Sequence, residues 1–89
     1  MKVDSNVDSD MNTIASRAKE LEEIGYSGLR IAELNHDPFM PLAIAASKTD
    51  SIELITSVAV AFSRNPMSMA TLAHDLNAFS EGRFILGLG

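Results

Sequence analysis

The 89-residue sequence contains no cysteine. Disulfides, zinc–thiolate centres and thiol nucleophiles are therefore excluded. Basic residues are scarce: seven Lys and Arg stand against twelve Asp and Glu, a net charge of −5. Nucleic-acid binders draw affinity from neutralising phosphates with Lys and Arg, so this balance argues against one. It argues equally against docking on an anionic membrane surface. No apolar run reaches the roughly 18 residues needed to span a bilayer. The start, Met1-Lys2-Val3-Asp4-Ser5, lacks the apolar stretch of a secretory signal, and the expected location is the cytoplasm. There is no His-x-His, no His-Glu-x-x-His and no carboxylate cluster to suggest a metal.

What remains is apolar and globular: 46% of residues are hydrophobic and 21% charged, outside the disordered range. A chain of this length buries only about 60% of its unfolded surface or slightly more. Without disulfides or a metal it needs a good core or a partner chain.

The apolar period changes along the chain. Val3, Ser5 and Val7 alternate and predict a short strand. Met11, Ile14, Ala15, Ala18, Leu21 and Ile24 recur at three to four residues and predict a helix, capped by Asp10 or Asn12 and stopped by Gly25. After a turn at Tyr26-Ser27-Gly28, Leu29 to Leu34 reads as a strand, ended by Asn35-His36-Asp37-Pro38. Phe39 to Ser47 is a short helix, apolar nearly all round. Ile52 to Val60 is a strand whose continuous apolar run fits a parallel strand covered on both faces. Pro66 suits the first turn of a third helix, with Met69, Leu72, Ala73, Leu76 and Phe79 as its stripe and Glu81-Gly82 as its end. Arg83 to Leu88 is the last strand.

The order β-α-β-α-β-α-β predicts one α/β domain over residues 1–89, with right-handed crossovers, four parallel strands in chain order and three helices on one face. Met40, Met67 and Met69 are expected as gap-filling core residues. His74, beside Asp75 in the third helix, is expected on the helix surface or in helix packing. Arg30 shares a strand parity with His36 and so is expected to point inward, which would require Glu53, Glu33 or an equivalent partner.

Several segments carry a resemblance. They are Leu21-Glu22-Glu23-Ile24-Gly25-Tyr26-Ser27-Gly28-Leu29, Glu33-Leu34-Asn35-His36-Asp37-Pro38-Phe39, Arg64-Asn65-Pro66, Leu72-Ala73, and the run from Leu76 through Ser80-Glu81-Gly82-Arg83-Phe84-Ile85-Leu86-Gly87-Leu88-Gly89. From about Asp10 to Gly89 the chain resembles the luciferase-like flavin-dependent monooxygenases. That family also contains enzymes using the deazaflavin coenzyme F-420. The resemblance implies the N-terminal half of a TIM (β/α)8 barrel, whose members run to roughly 250 residues or more. The phosphate site built after strands seven and eight of such barrels is then not supplied by this stretch.

In that fold the chemistry sits at the C-terminal ends of the strands. Asp4-Ser5, Asn35-His36, Ser57-Val58 and Gly87-Leu88-Gly89 occupy those places. A histidine there can exchange a proton near neutral pH or bond a flavin edge; the plainer reading is a turn residue before Pro38. The resemblance puts His36, with Asn35, against the coenzyme's reactive ring as the catalytic candidate. It puts at Ser57-Val58 a bulge with a non-proline cis peptide that backs the ring, where periodicity alone reads an ordinary buried strand. Gly-x-Gly with no helix after it reads as structural.

The functional expectation is a flavin- or deazaflavin-dependent oxidoreductase using coenzyme F-420 or FMN, with an incomplete active site in this chain alone. Asn35-His36-Asp37-Pro38 leans toward the deazaflavin. The alternative is a non-catalytic half-barrel that self-associates. In either case strands one and four are open edges, and Phe84, Ile85, Leu86 and Leu88 leave strand four apolar. A homo-oligomer is expected, in which strand four of each chain pairs with strand one of its partner.

Overall fold

The computed structural model describes residues 3–8, 10–33, 37–59 and 65–88. In chain order the elements are β1 (Asp4–Asn6), α1 (Ile14–Ile24), β2 (Gly28–Ile31), α2 (Phe39–Lys48), β3 (Glu53–Thr56), α3 (Pro66–Phe79) and β4 (Phe84–Ile85). The strands form one parallel sheet in the order β1-β2-β3-β4. The chain is α/β with four parallel strands in chain order, as the alternating periods predict, and this is the strand order that the resemblance to a TIM half-barrel implies.

Period-two alternation sorts the strand residues onto two faces. Leu29, Ile31, Leu54, Thr56 and Phe84 point to one side and are buried there with Ile14, Ala18 and Leu21 of α1, Phe39, Leu42 and Ala45 of α2, and Leu76 of α3. All three helices pack on this face. The Phe39 and Phe84 rings meet at 6.0 Å and 45°, a tilted pair worth about 0.5–1.5 kcal/mol beyond its burial. Asp4, Arg30, Ile55 and Ile85 take the opposite, concave face.

The ends of the helices follow from local chemistry. Gly25, at φ 114°, gives α1 its left-handed stop; its N–H and that of Tyr26 both reach Leu21 O. Pro66 is the first helical residue of α3, and the Asn65 side chain accepts the N–H groups of Met67 and Ser68. Glu81 and Gly82 both turn left-handed after α3, where the Gly82 N–H reaches Asn77 O at 2.8 Å.

Several expectations need correction. The N-cap of α1 is Thr13, not Asp10 or Asn12; the Asp10 carboxylate instead accepts the Asn12 N–H and turns the chain before the helix. Met11 is exposed because it lies in the turn before the helix, and Ile24 is exposed because a helix lying on a sheet buries a narrower stripe than the spacing allows. Met40 and Met67 are also exposed and fill no gap, whereas Met69 is buried. Leu72 and Phe79, expected in the stripe of α3, lie at its open edge. The strands are shorter than their apolar runs: β3 stops at Thr56 and β4 at Ile85, with one further bridge between Ala59 and Leu88. β3 buries Leu54 and Thr56 on the helix side, while Glu53 and Ile55 on the other face are only half-buried.

Two polar clusters close the N-terminal end of the sheet. Glu22 of α1 places Oε2 within 2.7–3.0 Å of the backbone N–H groups of Asp50, Ser51 and Ile52. Arg83 satisfies all five of its donors: Nε on Ser80 O, Nη1 on Thr49 Oγ1 and Ile52 O, and Nη2 on Ala46 O and Thr49 O. The guanidinium thus binds the orphan carbonyls at the end of α2 to the end of α3. The Glu81-Gly82-Arg83 run, singled out above by resemblance, has a structural role here.

Candidate functional site

The opposite, C-terminal end of the sheet is built around Thr56, Ser57 and Val58. β2 holds this segment on one side: the Ser57 N–H donates to Ile31 O at 2.9 Å, and the Glu33 N–H donates to Val58 O at 3.2 Å. β4 holds it on the other: the Ala59 N–H donates to Gly87 O at 2.8 Å. The Ser57–Val58 peptide is cis.

The register explains where Val58 points. Between the pairs Ile55–Ile85 and Ala59–Leu88, β3 advances four residues while its neighbour advances three. The surplus residue is a bulge, and it shifts the alternation by one. In an unbroken strand Val58 would follow Leu54 and Thr56 into the core. Instead Ala59 is fully buried and Val58 is 44% exposed. An apolar side chain is thereby presented at the strand end, where ligands of parallel α/β folds bind.

Gly87 borders this shelf. A Cβ there would collide with Thr56 O and would stand 3.7 Å from Val58 Cγ1. Glycine is needed for the close approach of two strand ends, which agrees with the structural reading of Gly87-Leu88-Gly89; Gly89 lies outside the described residues.

Arg30 does face the concave side, and Asp4 is a carboxylate partner equivalent to the Glu53 or Glu33 expected there. Its Nη2 lies 3.3 Å from Asp4 Oδ2 on the neighbouring strand, because the register sets Asn6 beside Arg30 and Asp4 two residues below. Asp4 Oδ1 lies against Gly28, is buried, and accepts no hydrogen bond among the described residues. Sequence reasoning missed this pair, although Gly28, facing Asp4, marked where a side chain had to be absent.

Asn35 and His36 lie outside the described residues. Ser57 and Val58 are brought together with Glu33, Thr56 and Gly87 at the same edge. His74 is exposed on α3 in the helix layer, as expected. No group of three metal-ligating side chains occurs among the described residues, and none of the described helices is long and apolar enough to cross a membrane.

The shelf can be tested against the tricyclic ring implied by the resemblance. A flat aromatic face needs an apolar contact and backbone close enough to leave no gap. Val58 offers the contact, and Gly87 lets the two strand ends close up behind it. The residues present fit such a ring on this one side.

Residues 2–89 match the family described as luciferase-like monooxygenase. An uncharacterized protein of Mycobacterium tuberculosis is 46% identical over the whole chain, which covers 26% of that protein. A 5,10-methylenetetrahydromethanopterin reductase of Methanolobus tindarius is 38% identical over 85% of the chain and 24% of its own length. The structure of a coenzyme F-420-dependent tetrahydromethanopterin reductase from Methanopyrus kandleri superposes with a TM-score of 0.90 at 26% identity, covering 99% of this chain and 26% of that one. The chain thus spans about a quarter of the length of these relatives.

Proposed function

The chain belongs to the luciferase-like monooxygenase family, and we propose that it supplies the N-terminal part of a deazaflavin-dependent oxidoreductase site. The observation that carries this reading is the exposed Val58, turned out of the core by a bulge at the C-terminal edge of a parallel sheet. The resemblance at Asn35-His36-Asp37-Pro38 and the likeness to the coenzyme F-420-dependent reductase of Methanopyrus kandleri favour coenzyme F-420 over FMN.

When bound, such a coenzyme supplies the redox chemistry, and the protein supplies position and electrostatics. Val58 and the Ser57–Val58 backbone would support one face of the ring. Asn35 and His36 would take the other role: Asn35 as a hydrogen-bond partner, and a ring nitrogen of His36 holding or releasing a proton near neutral pH. The rest of the relatives' length would supply the remaining walls of the site.

The test is a fluorescence titration of the purified chain with coenzyme F-420, with FMN in parallel. Saturable binding of the deazaflavin, with a ligand-induced rise in melting temperature, supports the reading. His36→Ala should weaken that binding about tenfold, the equivalent of about 1.4 kcal/mol. Preference for FMN would move the assignment to the flavin branch. Binding of neither would favour a non-catalytic half-barrel.

A further inference from the structure

We propose that Thr56 and Gly87 are positioning residues whose side-chain-to-backbone clasp holds Val58 on the concave face; the proposal rests on the cofactor reading above. The Thr56 side chain is buried. Its Oγ1 accepts the Gly87 N–H at 2.8 Å and donates to Gly87 O at 2.9 Å, so one hydroxyl engages both polar groups of one residue.

This contact lies in the gap in the ladder. Backbone pairing between β3 and β4 ends at Ile55 and Ile85 and resumes at Ala59 and Leu88. A bulge leaves ladder groups without their regular partners, and a buried N–H without a partner is costly. The Thr56 hydroxyl fills that role for Gly87. Gly87 O then also accepts the Ala59 N–H, which fixes the residue where the strand returns to the core. The surplus residue is confined to Ser57-Val58 because both ends of the bulge are pinned. A hydroxyl is needed for this: an apolar side chain of the same shape could neither accept from nor donate to Gly87. The absence of a Cβ at Gly87 lets the two strand ends come close enough to make the clasp.

Thr56→Val removes the hydroxyl and keeps the shape; Thr56→Ser keeps the hydroxyl. Two readouts separate the clasp from the cofactor reading: affinity for coenzyme F-420, and amide hydrogen exchange of the unliganded chain at Glu33 and Ala59, whose N–H groups hold the bulge. Thr56→Val should exchange at least about tenfold faster at these two amides, with a smaller change at Leu54, and should bind the coenzyme at least about tenfold more weakly. Thr56→Ser should behave as the unsubstituted chain in both measurements. Unchanged exchange in Thr56→Val overturns the proposal, as does a folded Thr56→Ser that loses binding. Loosened amides with unchanged affinity also overturn it, since Val58 would then need no positioning. If the unsubstituted chain binds no coenzyme while Thr56→Val still loosens the amides, the clasp stands and the cofactor reading falls. If Thr56→Val does not fold, Thr56→Ser and Thr56→Ala, read by the same two measurements, decide in its place.

Discussion

Arg83 binds Thr49 twice, through Nη1 to the side-chain oxygen at 2.8 Å and through Nη2 to the carbonyl oxygen at 3.1 Å. The two residues are 34 apart in sequence, and the bonds join the end of α2 to the entry of β4. The same guanidinium takes three more acceptors, so its removal orphans several carbonyls at once. Each orphaned buried polar group costs about 1–3 kcal/mol. Arg83→Met should therefore lower stability by at least about 2 kcal/mol, and Arg83→Lys should recover only part of it, because an ammonium cannot reproduce the planar fork. Urea denaturation of the two variants checks this; equal midpoints for Arg83→Met and the unsubstituted chain would falsify it.

Glu22 should leave a signature in acid. Burial pushes its carboxyl upward, but the N–H groups of Ser51, Asp50 and Ile52 and the Ser51 hydroxyl outweigh that and hold it below the ordinary glutamate value. A depressed folded value means that the unfolded chain takes up its proton first. The contribution is present above the unfolded value and is lost as pH falls through the folded one. Glu22→Gln should cost about 1 kcal/mol at pH 7, and the difference from the unsubstituted chain should shrink as pH falls below about 4. A difference that stays constant from pH 7 to pH 3 would assign the loss to shape rather than to charge.

Two glycine substitutions should separate close packing from backbone conformation. Gly82 has φ 84° and open space around the position of a Cβ, so Gly82→Ala should cost about 1 kcal/mol. At Gly87 a Cβ meets the Thr56 carbonyl, and relief requires moving a strand. Gly87→Ala should cost more, about 2–3 kcal/mol by the measure of overpacked cores. Thermal melts that rank the two the other way round would contradict the geometry at the strand end.

The purified chain should associate with itself. β1 and β4 are both sheet edges, and Ile85 and Leu88 are exposed at 42% and 50% on the β4 side. We propose a second copy as the cover for the edge and the concave face. Light scattering after size exclusion should give at least twice the 9.6 kDa chain mass, and Ile85→Lys should shift the population toward monomer. A monodisperse species of 9.6 kDa at high concentration would refute the pairing.

Order, type and direction of the elements were legible because each depends on neighbours in sequence. Gly25 and the Asn65-Pro66 pair mark helix ends within one turn, and the change from period two to period 3.6 marks each crossover. The extents of β3 and β4 were not legible. Their apolar runs continue through Val60 and Leu88, and nothing local shows that the register slips by one residue after Thr56. The Thr56 hydroxyl and the two Nη groups of Arg83 find partners 31 or more residues away, and Arg30 finds Asp4 26 residues away; no short pattern encodes such contacts. Met40 and Met67 read as core because hydrophobicity cannot tell the side of a helix that meets the sheet from the side left for another element. The cofactor shelf was visible only by resemblance at Ser57-Val58, since the alternation by itself placed Val58 inside.

The strand order has a consequence for the birth of the molecule. Each strand pairs with the one just before it in the chain, across an intervening helix. Every ladder contact therefore closes a loop of about two dozen residues or more, which makes spontaneous pairing slow from a fully extended chain. On a ribosome the same arrangement becomes an advantage. When β3 emerges, its template edge on β2 is already present, and β4 later meets β3 in the same way. The sheet can be laid down by accretion, with no strand having to insert between two others.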